Sequence, residues 1–473
     1  MLTTIVAAVP VLESMFHFLR LFERELMLFA GFWFVLGITD EIAIDLVWFW
    51  QRLVNKRRTH RLIPEIEKRV LIGSAAVLIP AWQEAGVIGV TIRHMLTAWK
   101  QAHLRVYVGC YANDTATMMA AMAAIEGDRR VRLVILDRTG PTTKADCLNR
   151  LYRALSDDEQ RAGVPFRSVI LHDAEDMVHP AALALMDTAL SDADFVQLPV
   201  RPEPQSAARW IAGHYIDEFA EAHAKAMVVR DGLRAALPSA GVGCALRRQI
   251  LADLCRERGS GADGPFEAEC LTEDYELGLL VTRRGGLGRF LRLRDCDGNL
   301  IATRSYFPAT LPDAVRQKTR WVHGIAFQGW ERLGWQGRAV DWWMAIRDRR
   351  GPLSALLLSI AYVLLFLTPA LALAERAGLA APRATSPLLA GMIWFCFAGL
   401  VWRAAMRFAF TAREYGWAEG LRAVARIPVA NIIAIMSGRR AFVAYWRSLS
   451  GDMPVWEKTS HYGHPALVRE ARS

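Results

Sequence analysis

Paired cysteines are missing from this chain. Its seven cysteines stand alone at 110, 147, 244, 255, 270, 296 and 396, with no CxxC among them. Such scatter argues against a disulfide framework or a zinc site and suits a reducing compartment. No Lys or Arg precedes Arg20, so the N-terminal apolar run lacks the basic flank of a cleaved signal peptide. Internal repeats and low-complexity segments are also absent. No nucleic-acid reader motif is visible, so no nucleic-acid partner is expected.

What the chain does have is apolar mass at its two ends. Hydrophobic residues make up 53% of its 473 positions, more than a soluble enzyme of this size needs. Residues 26–50, 353–374 and 387–410 are each long enough to cross about 30 Å of hydrocarbon, which gives three expected spans. Residues 1–19 are interrupted by Pro10, Glu13 and His17 and read as a surface-lying or re-entrant piece. Arg52, Lys56, Arg57, Arg58 and Arg61 follow the first span and place its end on the cytoplasmic side. The net charge of +9 suits an anionic lipid surface and phosphorylated substrates. Residues 311–350, rich in Trp and Arg, read as interfacial helices, and 418–446 as an amphipathic helix on the inner surface. The acids Asp40, Glu41 and Asp45 fall at a depth similar to Arg403 and Arg407, so pairing between these two sets is expected.

Between the ends, short apolar runs at 75–80, 104–110, 131–136, 168–171 and 195–200 alternate with helical stretches such as 91–102 and 143–155. That alternation predicts an α/β unit with a mainly parallel, doubly wound sheet. The expected organisation is an N-terminal helix and first span (1–65), an α/β domain (66–310), interfacial helices (311–351), two spans (352–410), and an amphipathic helix with a polar tail (411–473).

Several motifs end these runs. In HDAEDMVHP, the acids Asp173, Glu175 and Asp176 follow the 168–171 run at the carboxyl edge of the sheet. They suit either a hard divalent cation or an acidic turn capping the next helix. PAWQE (Pro80 to Glu84) is a strand-to-loop turn against which a base could lie. In YANDTAT, Asp114 suits a ribose or base contact, or a helix N-cap. TTKADCLN places Lys144 in the first turn of a helix, a usable diphosphate site. GVGCALR brings Gly243 close to a ligand and starts the next helix at Arg247. LTEDYELG supplies Glu273 and Asp274 as candidate bases, with capping by Thr272 as the alternative. QKTRW sets Gln317, Arg320 and Trp321 on one to two helical turns, suited to oxygen binding and sugar stacking or to membrane anchoring.

In their order and spacing, PAWQE, YANDTAT, KADCLN, HDAED, GVGCALR, LTEDYELG and QKTRW resemble the membrane-bound glycosyltransferases of family 2, which have the GT-A fold. With YFP and WEKTSH added, the chain looks most like the NfrB group of inner-membrane glycan synthases. The resemblance implies a GT-A domain facing the cytoplasm of a bacterial inner membrane, in a multi-pass chain. It implies inverting transfer from a nucleotide-diphosphate sugar, UDP-linked, to a glycan or lipid-linked acceptor, with Mg2+ or Mn2+. Asp114, with Pro80, Glu84 and Gly243, would then lie along the nucleotide sugar, and Lys144 near its uracil or diphosphate. Asp173 would bind metal with Glu175 or Asp176. Asp274 would be the base beside Glu273, with Gln317, Arg320 and Trp321 at the acceptor and diphosphate end. Two departures stand out: the usual DxD reads DAE followed by Asp176, and the usual paired aspartates reduce to Asp114. Chains of this group often carry a C-terminal cyclic di-GMP sensor, which is not expected within these 473 residues. Three spans make a self-contained channel unexpected, so an outer-envelope export or receptor partner is expected. A non-catalytic membrane component of a surface-glycan or phage-uptake assembly is the alternative.

Overall fold

A computed structural model describes residues 2–54, 59–62, 65–259, 263–379, 385–451 and 463–470. The basic residues 56–58 and positions 456–462 of the tail lie outside the described residues.

Nine strands form among the described residues: β1 (Ala75–Pro80), β2 (Leu104–Tyr111), β3 (Val131–Leu136), β4 (Ser168–Leu171), β5 (Phe195–Gln197), β6 (Val200–Pro202), β7 (Cys244–Arg247), β8 (Gly288–Phe290) and β9 (Thr303–Ser305). Seven make one sheet in the order β3-β2-β1-β4-β7-β5-β8, and β6 pairs with β9 in a second. The register Ala75↔Leu104 and Ala75↔Ser168 makes β1 parallel to both neighbours. Their carboxyl ends therefore share one edge, and the loops after β1, β2 and β4 are brought together there.

Both faces of the sheet are covered, as parallel strands require. Along β1, Ala75, Val77 and Ile79 pack into a core with Ile92, Met95 and Leu183. The alternate residues Ala76 and Leu78 pack on the other face with Leu148, Leu151 and Leu277. This period of two is why an unbroken apolar run is needed for β1.

The α/β expectation stands, with corrections in detail. The sheet is mixed, because β7 runs antiparallel to both β4 and β5. GVGCALR therefore contains a strand, not only a turn, and Arg247 ends that strand directly before the helix Arg248–Arg258 instead of beginning the helix. The run expected at 195–200 divides into β5 and β6, which belong to different sheets. Pro199 has no N–H for the ladder, so the break falls beside it. The helix expected at 91–102 is Ile88–Ala98, and the one at 143–155 extends over Lys144–Ala162.

At the ends the differences are larger. Residues 1–19 form no separate piece: one helix runs Leu2–Leu53, about 78 Å at 1.5 Å per residue. Four helices among the described residues are long and apolar enough to cross a membrane, one more than expected. The fourth, Ile427–Ser448, starts at a proline after the short helix Trp417–Ala425, which splits the amphipathic stretch in two.

The charges within the first helix are partnered. Arg403 Nη1 lies 3.1 Å from Glu41 Oε2, as expected, and 2.6 Å from Glu221 Oε1. Asp40 instead meets Arg350 at 3.0 Å and Arg347, and Asp45 meets Lys225 at 2.6 Å. Arg407 is not among the ion-pair partners of Asp40, Glu41 or Asp45 in the described residues. The expected helix-to-helix pairing is therefore one strand of a wider network. It ties the first helix to the α/β domain through Lys225 and Glu221, and to the interfacial helix through Arg347 and Arg350.

Candidate active site

Two adjoining cavities open at the shared strand edge. The smaller, about 110 Å³, is walled by Pro80, Trp82, Glu84, Tyr111, Thr143 and Cys147. The larger, about 430 Å³, runs from Asp176 and Gln197 past Glu273 and Asp274 to Tyr306, Phe307 and Trp321. Lys144, Asp173, Glu175, Gln317 and Arg320 border both, so the two read as one cleft with a polar waist.

Lys144 opens its helix because Thr143 caps it: the Thr143 hydroxyl accepts from the Asp146 N–H, and Asp146 accepts from the Thr143 N–H. Its Nζ reaches Asp173 Oδ1 at 2.6 Å. Burial alone would depress the Lys144 pKa, but facing Asp173, Glu273 and Asp274 holds it above the ordinary lysine value. The cleft thus keeps a fixed cation at a helix N-terminus, where an anionic group is favoured.

The acids of HDAED separate. Asp173 and Glu175 line both cavities. Asp176 is only 1% exposed, and its Oδ2 accepts from the Asp173 N–H at 3.0 Å and lies 2.9 Å from His172 Nδ1. That carboxylate is spent on holding the turn, although it borders the larger cavity. Among the described residues no three of His, Cys, Asp and Glu converge as a cation cage. Two carboxylate donors, Asp173 and Glu175, nevertheless match Mg2+ or Mn2+ sites that complete their coordination with substrate phosphate and water.

LTEDYELG meets the cleft from the other side. Thr272 precedes the helix Glu273–Arg283 but makes no side-chain cap, so capping does not account for the motif. Thr272 instead packs against Gly324, where an added Cβ would lie 2.4 Å from Thr272 Oγ1. Burial, then the charge of Asp274, pushes Glu273 up to about 7, and its Oε1 is buried without a hydrogen-bond partner. Burial likewise raises Asp274, against the pull of Lys144, and its Oδ1 accepts from the Tyr275 N–H at 2.8 Å. Two carboxyls that hold protons more tightly than usual, one beside the other, suit proton removal near neutrality.

QKTRW lies on the helix Leu311–Val322. Gln317 and Arg320 reach the waist, and Gln317 Oε1 is buried without a partner. Trp321 lines the larger cavity, edge-on to Tyr215 with ring centroids 6.0 Å apart.

Of the sequence-predicted residues, Pro80, Glu84, Lys144, Asp173, Glu175, Gln317, Arg320, Trp321, Glu273 and Asp274 are brought to the cleft. Asp114 and Gly243 are not among the residues lining it. Asp114 caps the helix Thr115–Ile125 by accepting from the Thr117 N–H, and accepts from the Gln83 N–H at 2.5 Å. It shapes the PAWQE loop from outside the cavity wall. Gly243, at φ +59°, faces Thr303, whereas Gly241, at φ +72°, faces the carboxyl of Asp274: a Cβ there would lie 2.3 Å from Asp274 Oδ2. Gly241, in the same motif as Gly243, was not singled out in the sequence, and neither were Trp82, Tyr111 and His223, which line the cleft. Trp82 and Tyr111 stand inside motifs already singled out. His223 carries no local signal, since it lies mid-helix.

A family model described as "Glycosyltransferase like family 2" matches residues 73–324. Bacteriophage adsorption protein B of Escherichia coli (strain K12) is 32% identical over 93% of this chain. Bacteriophage N4 adsorption protein B of Escherichia coli O157:H7 shows the same identity and coverage. This chain spans 62% of the length of these relatives. Among solved structures, a mannosyltransferase from Pyrobaculum calidifontis in complex with GDP-Man and Mn2+ is 15% identical, with a TM-score of 0.49. That match covers 84% of this chain and 98% of the other.

Proposed function

The chain belongs to glycosyltransferase like family 2, and on that premise we propose that it transfers a sugar, with inversion, from a nucleotide-diphosphate sugar to an acceptor hydroxyl. The donor is UDP-linked, and the acceptor is a glycan or a lipid-linked glycan. The observation that carries this reading is the single cleft in which Lys144, Asp173, Glu175, Gln317 and Arg320 face Glu273 and Asp274.

In this reading the nucleotide lies in the smaller cavity against Pro80 and Trp82, with its diphosphate at the waist. Asp173 and Glu175 would hold Mg2+ or Mn2+, which supplies charge neutralisation for the diphosphate when bound. Lys144 and Arg320 contribute fixed positive charge at the same place. The acceptor enters the larger cavity along Phe307 and Trp321, whose ring offers a face for a sugar. Asp274 takes the hydroxyl proton while the acceptor oxygen attacks the anomeric carbon. The bond from that carbon to the diphosphate oxygen breaks, and the electron pair leaves with the diphosphate. Gln317, with one buried oxygen uncommitted, is placed to accept from a sugar hydroxyl.

We place the α/β domain on the cytoplasmic side of a bacterial inner membrane, held by the long apolar helices. Delivery of the glycan onward then falls to an outer-envelope partner. Screening UDP-sugars with the purified protein and Mg2+ or Mn2+ tests the reading. Metal-dependent release of UDP is expected with one of them, and Asp274→Asn should keep donor binding while losing turnover. Full turnover in Asp274→Asn rules out the base assignment.

A further inference from the structure

A third cavity, about 340 Å³, lies one to two turns further along the Glu273–Arg283 helix from the cleft, beside Leu279, Thr282 and Arg283. Arg230 and Asp348 line both this cavity and the larger one, so their ion pair, with contacts of 3.1 and 2.7 Å, forms the partition. Tyr275, which follows Asp274, donates its hydroxyl to Asp348 Oδ2 at 2.8 Å and braces the same wall.

Four guanidiniums line the cavity, but only two carboxylates do. Asp348 is taken by Arg230, and Asp341 by Arg338 at 3.2 Å and by the Ala236 N–H. Arg283 and Arg349 are left with backbone carbonyls alone: Arg283 donates to Leu333 O, and Arg349 to Gly334 O at 2.9 Å and Gly329 O at 2.8 Å. Arg349 is 8% exposed, stacks over Trp335 at 4.7 Å, and its Nε has no acceptor. Burial depresses the pKa of both arginines, and for Arg283 the charge of Arg349 adds to it. Arg349, buried, and Arg283, half-buried, face one cavity with no carboxylate in hydrogen-bond contact; Asp348 and Glu276 offset part of their charge from nearby, and the rest costs free energy that an anion would recover.

We propose that this cavity is a binding site for a phosphoryl group, separate from the diphosphate end of the cleft. Two planar guanidiniums match a doubly charged tetrahedral oxyanion better than a carboxylate, because each fork can take two oxygens. The site lies at the membrane surface: the helix Ala339–Arg349 leads directly into the apolar helix Gly351–Arg376, and Trp342 beside the cavity is 49% exposed. A lipid headgroup phosphate and a soluble phosphoryl compound both present this chemistry there. The inference stands whether or not the cleft performs sugar transfer.

Hydrogen exchange of the full chain in lipid-free detergent, with and without inorganic pyrophosphate, tests it. Lys144→Gln protein is used so that pyrophosphate binding in the cleft is weakened. Protection of residues 329–349 is expected, and adding Arg283→Gln should raise the half-saturating pyrophosphate about tenfold. If Arg283→Gln fails to fold, Thr282→Glu places a carboxylate at the cavity wall and should give the same loss. Nanodiscs of phosphatidylglycerol then separate the sources. Protection there without pyrophosphate identifies a headgroup site, and protection that still requires pyrophosphate identifies a soluble ligand. Absence of protection at 329–349 in both settings, or protection unchanged by Arg283→Gln and Thr282→Glu, overturns the proposal.

Discussion

Lys144 Nζ and Asp173 Oδ1 stand 2.6 Å apart across the waist of the cleft, joining the first turn of one helix to the loop after β4. The pair does more than tie two loops. Its lysine is held charged by three acids, and its carboxylate faces both cavities. Removing the cation should therefore cost donor binding and turnover together. We expect Lys144→Gln to lower kcat/KM by about 100-fold, the scale for losing one preorganised electrostatic contact to developing charge. Steady-state transfer assays over a donor series check this.

The pH dependence follows from the buried acids. Glu273 is pushed up to about 7 by burial and by Asp274, and Asp274 is raised as well. A base must be ionised, so turnover should climb with pH as Asp274 ionises, above the ordinary aspartate range. Stability should move the other way: a carboxyl whose folded pKa exceeds its unfolded 4.5 favours the fold below that value. That contribution is lost as pH rises through the folded value. Melting temperatures should therefore fall between about pH 4.5 and 7 for this component, and Glu273→Gln should flatten the slope. An unchanged slope in that variant would contradict the assignment.

Gly241 offers a sharper probe of geometry. At φ +72° a side chain is strained by about 1 kcal/mol or more, and its Cβ would meet Asp274 Oδ2 at 2.3 Å. Gly241→Ala should lower kcat about 100-fold by displacing the base, with a melting shift of only a few degrees. Gly243→Ala, which meets Thr303 instead, should destabilise the protein without that selective loss of kcat. Comparing kcat and melting temperature for the two variants separates positioning from folding.

Arg403 meets Glu41 and Glu221 at once, so its reversal leaves three like charges together. Arg403→Glu should destabilise the membrane-embedded chain by about 3–5 kcal/mol, as breaking a buried ion pair does. Exchanging charge with Glu41 should not restore it, because Arg347 and Arg350 also depend on Glu41. Thermal melts in detergent of the single and double variants measure this.

How much of this was readable in advance depends on what holds each part. β1, β3 and β4 were visible to the residue, since each is an apolar run ended by polar or turn residues. β7 was hidden: four residues after two glycines look like a turn, and only pairing with β4 and β5 makes them a strand. The acids at 173, 175, 273 and 274 were singled out by their place after a strand or at a helix start, where an acidic turn or a cap reads the same; only the packing brings them to one cleft. Asp114 did not reveal its part, since a capping aspartate and a ligand-binding one share the same local sequence. Lys225 and Glu221 sit inside helices where charge ordinarily means a solvated face. Their burial is a property of the packed molecule and has no local signature.

The two acids beside Asp173 now have different expected roles. Asp176 holds the turn through the Asp173 N–H and His172, and is 1% exposed, whereas Glu175 lines both cavities. Asp176→Asn should therefore lower stability, because an amide can keep only part of that bonding, while leaving the metal requirement for transfer near its original value. Glu175→Gln removes an oxygen anion from the waist and should raise the half-saturating Mg2+ or Mn2+ by on the order of 100-fold, the upper range for disturbing a metal site. Titrating each metal against transfer rate, with melting curves in parallel, distinguishes them. A large metal shift in Asp176→Asn with none in Glu175→Gln would exchange the two roles.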